Sequence, residues 1–235
     1  MSAALRLGAV LATLAAALAA AAPAGATNEC RGLMVCIPIA GPWVVVPTAT
    51  TTPRREVEYQ LTCPRAHVAG GLDAELSRRA VEVGFRGKLG SPVNPGISTS
   101  RSVVFVASYV GGSASHATFR PRVGCIPASG GGGRVPTSVT AFPPGEPTVR
   151  RVKTVRVRPG TATVVQGCRG GERLVGAERA FGFFTRRPPE ASVVASVDGT
   201  LAVRNGRVQV RVRGDAELGG VRAVVQVQAV CARVS

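Results

Sequence analysis

Along much of the chain, hydrophobic residues recur at every second position, the spacing of a strand that turns one face inward. VEYQLTC places Val57, Tyr59, Leu61 and Cys63 on one side and Glu58, Gln60 and Thr62 on the other. ATFRPRVGC groups Ala117, Phe119, Val123 and Cys125 against Thr118, Arg120 and Arg122. VRAVVQVQAVC lines Val221, Ala223, Val225, Val227, Ala229 and Cys231 along one face. TATVVQGC alternates less cleanly. In VRRVKTVRVRPG the apolar parity slips between Val152 and Val155, which predicts a bulge or a strand end at that point.

The sharpest local signal is TLAVRNGRVQVRV. Asn205-Gly206 between two alternating valine runs predicts a two-residue type I′ hairpin, because both central residues of that turn need positive φ. Such a turn sets Arg204 opposite Arg207, Val203 opposite Val208, Ala202 opposite Gln209 and Leu201 opposite Val210. Leu201, Val203, Val208, Val210 and Val212 then face inward, and Arg204, Arg207, Gln209, Arg211 and Arg213 face outward. Helical patterning is scarce. LDAELSRRAV could form a turn or two, but it is flanked by glycine and by strand-like VEVGF. The expected class is all-β.

Two stretches share a layout: CPRAHVAGG from Cys63 and CRGGERLVGA from Cys168, each answered about 60 residues later by another cysteine, Cys125 or Cys231. The comparison predicts two related units, each a disulfide-stabilised β-sandwich of immunoglobulin-like or jelly-roll-like topology, with the shared glycines forming a turn after the first cysteine. Matched first and last cysteines pair most simply as Cys63 with Cys125 and Cys168 with Cys231, leaving Cys30 and Cys36 as a local loop. An alternative cross-links the N-terminal segment into the first unit, because VCIPIAG around Cys36 resembles GCIPASG around Cys125. The Gly/Pro/Ser/Thr-rich stretch 129–147 reads as a linker between a unit at 27–128, which carries an N-terminal extension, and a unit at 148–235.

Composition narrows the setting. Residues 1–26 combine Arg6, an alanine- and leucine-rich run and the small residues Ala24, Gly25 and Ala26, the plan of a cleaved signal peptide. All six cysteines lie beyond it, as an oxidising, extracellular destination predicts. Aromatics are only 4% of the chain, so valine, alanine and leucine must fill the core. Loops of about 60 residues closed by disulfides would each add roughly 4 kcal/mol in the chain-entropy account. No transmembrane span is expected once the leader is removed.

Charge is the remaining lead. With 29 basic and 13 acidic residues the chain carries a formal +16, which suits an anionic extracellular polymer or envelope surface as partner. The hairpin localises that charge in Arg204, Arg207, Arg211 and Arg213, whose planar guanidiniums match phosphate and carboxylate oxygens. The same arginine bias, alongside so much alanine, glycine and valine, is also what GC-rich coding produces. Sequence-specific nucleic-acid binding is not expected, since Trp43, Tyr59 and Tyr109 are the only Trp or Tyr residues available for stacking. Trp43, followed by Val44 to Val46, is expected to be packed.

A catalytic reading would start from His67, Asp73 and Glu75 in the first unit, the two acids standing two apart on one strand face. The second unit has Arg173 and Arg179 at the positions of His67 and Asp73, so at most one unit could be a hydrolytic site. The chain has no G-x-S-x-G elbow and no H-E-x-x-H. It also lacks a C-x-x-C pair and has two histidines, so neither a metal nor another cofactor is expected. The reading with most support is a secreted, non-catalytic β protein that binds or decorates an anionic surface. A small secreted hydrolase and a structural or inhibitory module are the alternatives.

Overall fold

The computed structural model describes residues 28–49, 53–86, 101–112, 116–128 and 148–234. The expected leader at 1–26 and linker at 129–147 lie outside these residues. Thirteen strands account for nearly all of the regular structure. The first seven are β1 (Ile37–Ala40), β2 (Trp43–Val46), β3 (Glu56–Thr62), β4 (His67–Leu76), β5 (Val81–Arg86), β6 (Ser102–Tyr109) and β7 (Ala117–Pro127). The others are β8 (Thr148–Val157), β9 (Gly160–Gly167), β10 (Glu172–Phe184), β11 (Val197–Arg204), β12 (Arg207–Gly214) and β13 (Arg222–Arg233). One short helix, α1 (Ala191–Ala195), and a 3-10 turn at Ala216–Leu218 complete the described elements. LDAEL lies in β4 rather than in a helix, and the chain turns through Ser77–Ala80 into β5.

The strands form three sheets. A seven-stranded sheet runs β1-β7-β2-β10-β13-β8, with β4 on the other edge of β7; β3-β6-β5 and β11-β12-β9 are three-stranded. Each small sheet stacks on part of the large one across a buried apolar cluster. The first cluster joins Val57, Tyr59 and Leu61 of β3 to Val103, Phe105 and Ala107 of β6 and to Phe119 and Val123 of β7. The second joins Val208, Val210 and Val212 of β12 to Val225, Val227 and Ala229 of β13 and to Phe183 of β10. Trp43 is buried, and Gly182 and Phe183 of β10 pair with Val44 and Trp43 of β2, so the large sheet is continuous through both halves of the chain.

Three disulfides join Cys30 to Cys36, Cys63 to Cys125 and Cys168 to Cys231. The pairs are those suggested by the matched first and last cysteines, and Cys36 does not reach Cys125. The two long bridges sit inside the two apolar clusters: Cys63 and Cys125 in one, Cys168 and Cys231 in the other.

Three local expectations are corrected. The shared glycines, Gly70 and Gly176, do not form the turn that follows Cys63 and Cys168. They sit within β4 and β10, each beside a register shift, at Ala69/Gly71 opposite β7 and at Leu174/Gly176 opposite β13. A bulge there bends a long strand across the layer beneath it, work that a turn would not do. Second, β8 has neither a bulge nor an end between Val152 and Val155; it pairs residue for residue with β13 from Thr148 to Val157. Val155 faces the second apolar cluster, whereas Val152 lies opposite Gln228 on the other face of the sheet. The parity slips because apolar positions on both faces of this strand find cover. Third, Val203 is exposed although Val208, opposite it, is fully buried. β11 is an edge strand, with a neighbour on one side only.

The same two-sided covering explains VQVQAV. Val225, Val227 and Ala229 face the second cluster as expected, but Gln226 and Gln228 on the opposite face are buried as well. They lie against the open edge of β3. The Gln226 side chain accepts from the Gln60 backbone N–H at 2.7 Å and donates to the Gln60 carbonyl at 3.0 Å, while Gln228 donates to the Glu58 carbonyl at 3.1 Å. Two side-chain amides thus replace the neighbouring strand that β3 lacks on that edge, satisfying backbone groups that burial would otherwise penalise.

Candidate functional site

The arginine hairpin forms as its sequence predicts. Asn205 and Gly206 both have positive φ, 51° and 68°, and the register pairs Arg204 with Arg207, Val203 with Val208, Ala202 with Gln209 and Leu201 with Val210. Farther along, Thr200 opposes Arg211 and Asp198 opposes Arg213. On its other edge β12 pairs with β9, which sets Thr163 beside Arg211 and Thr161 beside Arg213. Gly167 stands opposite Arg207, where a Cβ would come within 3.1 Å of the arginine Cγ, so the Arg207 stem lies across the place of a missing side chain.

The outcome is one exposed face carrying Arg204, Arg207, Arg211 and Arg213 with Thr161, Thr163 and Thr200 among them. Pleat geometry places Arg211 and Arg213 about 7 Å apart at the backbone and Arg207 about 14 Å from Arg211. Arg204 and Arg207, flanking the turn, are about 5.5 Å apart, a like-charge pair that is unfavourable unless an anion lies between the two guanidiniums. The arginines are not equivalent. Arg213 meets Asp215 at 3.3 Å, and both side chains are exposed. Arg204, Arg207 and Arg211 have no acidic partner among the described residues.

Several acids elsewhere are held in ion pairs. Glu58, buried at the seam between β3 and β13, pairs with Arg86 at 2.9 Å and with Arg150, and Arg86 also meets Glu56 at 3.1 Å. Glu172 binds Arg151 and accepts from the Arg169 backbone N–H at 2.9 Å. The hydrogen bond from Arg151 first, and that backbone contact second, hold the Glu172 carboxyl below the ordinary range. Glu75 and Glu29 both pair with Arg122, at 2.5 and 2.9 Å. At Glu178, burial foremost, then the nearby charge of Glu58, pushes the carboxyl above the usual carboxylate value.

The candidate catalytic residues are not assembled. His67 opens β4 opposite Pro127, and its Nδ1 lies 3.0 Å from the Arg65 carbonyl. Asp73 is six residues farther along the same strand, about 20 Å away at strand rise. Its carboxylate accepts from the Asn28 backbone N–H at 2.7 Å and from the Ala74 N–H at 2.8 Å. Glu75 shares the Asp73 face, as read, but is held by Arg122. The ligand-type cluster Cys168, Glu172 and Cys231 has both sulfurs in one disulfide, which leaves a single carboxylate for any ion.

One concavity escaped sequence reading. An open depression of about 290 Å3 lies on the outer face of β3-β6-β5, lined by Glu56, Glu82, Gly84, Phe85, Arg86, Val106 and Ser108. Gly84 gives it depth, since a Cβ there would meet nothing within 4 Å. The alternating charges of VEVGFR carried the only available signal. Among the described residues no helix is long and apolar enough to cross a membrane. The chain matches no protein-family model, no curated protein and no solved structure.

Proposed function

We propose that the protein is an exported, non-catalytic binding protein that holds a polyanionic extracellular polymer or envelope surface against the outer face of β9, β11 and β12. The observation that carries this reading is the distribution of charge partners. Arg86, Arg120, Arg122, Arg150 and Arg151 are matched to glutamates, while Arg204, Arg207 and Arg211 stand exposed without an acidic partner among the described residues. Opposed guanidiniums beside exposed threonine hydroxyls suit successive phosphate, sulfate or carboxylate groups along a flexible polymer, with charge-assisted hydrogen bonds supplying the contacts.

Two further readings belong to the same proposal. The matched bulges in β4 and β10, each opposite the second cysteine of a long disulfide loop, support two related sandwich-like units at 27–128 and 148–235. Three disulfides in a chain with no remaining thiol among its six cysteines support export to an oxidising compartment, directed by the leader at 1–26.

The test is retention on a washed cell-envelope fraction, and on immobilised linear polyphosphate as a defined probe, across a salt series. Retention should fall steeply as ionic strength rises. Replacing Arg204, Arg207, Arg211 and Arg213 together by glutamine should weaken it at least tenfold with no change in thermal unfolding. Retention that ignores either the salt or the four substitutions refutes the assignment.

A further inference from the structure

The N-terminal segment ahead of β1 presents a second surface, in the other half of the chain from the arginine hairpin. The Cys30–Cys36 disulfide closes a small ring. Two successive turns fix its course: the Arg31 N–H donates to the Asn28 carbonyl at 3.0 Å, and the Leu33 N–H donates to the Cys30 carbonyl at 3.2 Å. Gly32 supplies the positive φ, 76°, that the second turn needs.

The base of this ring is fastened to the large sheet in several ways. The Glu29 carbonyl lies so close to β4 and β7 that a Cβ at Gly71 or Gly124 would come within 1.9 or 2.0 Å of it. The Glu29 side chain is buried and paired with Arg122 at 2.9 Å, and the Asn28 N–H donates to Asp73 at 2.7 Å. One carboxylate oxygen of Glu29 is buried with no hydrogen-bond partner, an unfavourable feature that the surrounding anchorage tolerates.

What this anchorage holds outward is apolar. Met34 is 103% exposed and Val35 61%, Leu33 is partly exposed beside them, and Ile37 follows at the start of β1. Single exposed aliphatics are ordinary, but a run of three held in a cross-linked ring cannot fold back to hide itself. The charged neighbours are cations. Arg31 is in the ring, and Arg65 is in the turn beside the end of β7, where the Ala128 N–H donates to the Ala66 carbonyl. Both are exposed and have no acidic partner among the described residues, whereas Glu29 and Asp73, the nearest acids in the anchorage, are engaged at its base.

We propose that the Leu33-Met34-Val35 tip inserts into an anionic phospholipid surface, with Arg31 and Arg65 at the level of the headgroup phosphates. An apolar wedge bordered by guanidiniums matches the layering of such an interface, apolar inside and negative at its rim. A socket on a protein partner would take up the same aliphatic side chains but gives no account of the two bordering guanidiniums.

The test uses the full disulfide-bonded chain carrying Met34→Trp, Trp43 being buried and therefore a constant background. Vesicles of phosphatidylcholine, alone or mixed with phosphatidylglycerol, are prepared with and without brominated acyl chains. Bromine quenching of the new tryptophan in the anionic vesicles, and much less in the neutral ones, is the expected result. In the chain with native Met34, the double substitution Met34→Asp, Val35→Asp should cut the vesicle-bound fraction about tenfold or more. Quenching must survive replacement of Arg204, Arg207, Arg211 and Arg213 by glutamine, which separates this surface from the hairpin. The proposal is overturned if the aspartate variant binds undiminished or if neutral vesicles serve equally well. A tip that ignores both kinds of vesicle but is shielded when envelope proteins are added would overturn it in favour of a protein socket.

Discussion

Gly71 and Gly124 sit opposite one another on β4 and β7 because the Glu29 carbonyl occupies the space that a methyl group would need. At this scale a side chain is decided by what lies within a few ångströms of one atom. Gly71→Ala should therefore lift the Cys30–Cys36 ring from the sheet, lower stability by about 1–3 kcal/mol and open the Arg31 bond to trypsin, as unfolding curves and timed digests would show. Glu178 gives a second residue-scale expectation. Its folded pKa is raised, so between the ordinary carboxylate value of 4.5 and that raised value the native state binds more protons than the unfolded chain. Stability contributed at this site is then greatest at low pH and is lost as pH rises through that window. Glu178→Gln should match the wild type in urea at about pH 4 and exceed it at about pH 7. A variant less stable at the higher pH would contradict the burial argument.

Elements follow from patterns of residues, and the patterns were legible to different degrees. The hairpin was readable to the residue, register included, because Asn205-Gly206 constrains the backbone locally and the valines on either side agree with it. The disulfide partners could be reached from the spacing of four cysteines. The glutamines of β13 could not be read, since alternation reports that one face is apolar but not that the polar face is buried too. Only the position of β3, which comes from the other half of the chain, turns Gln226 and Gln228 from surface residues into a substitute strand. Of the candidate site, the arginine positions and their outward direction were visible; the division between Arg213, which meets Asp215, and the acid-free Arg204, Arg207 and Arg211 was not, because partners depend on where neighbouring loops pass. Replacing Gln226 by leucine keeps the volume but leaves the Gln60 N–H and carbonyl unpaired, at a cost of about 1–3 kcal/mol. Hydrogen exchange at the Gln60 amide should accelerate well beyond that of its β6-facing neighbours.

For the whole molecule, what matters is how much joins the two halves. Pairing of β2 with β10, the glutamine contacts on β3 and the Arg150–Glu58 ion pair all cross between them. These contacts are polar and specific, and they are satisfied only when both halves are present. Scanning calorimetry should therefore show one cooperative transition for the disulfide-bonded chain. Combining Gln226→Leu with Arg150→Ala should separate it into two, with the Glu58 side destabilised further because its buried carboxylate keeps Arg86 alone. Two transitions in the unaltered chain would show that the crossing contacts are too weak to unite the halves.

The bridges are also sequential rather than interleaved: Cys30 closes on Cys36 before Cys63 on Cys125, and that pair is complete before Cys168 meets Cys231. A chain that becomes available from its N-terminus can therefore oxidise each pair as its second cysteine arrives, with no later thiol needed to complete an earlier bond. Order of appearance alone then protects against scrambling. Of the contacts that join the halves, those of Gln226 and Gln228 with β3 have to wait until the last strand, β13, is in place.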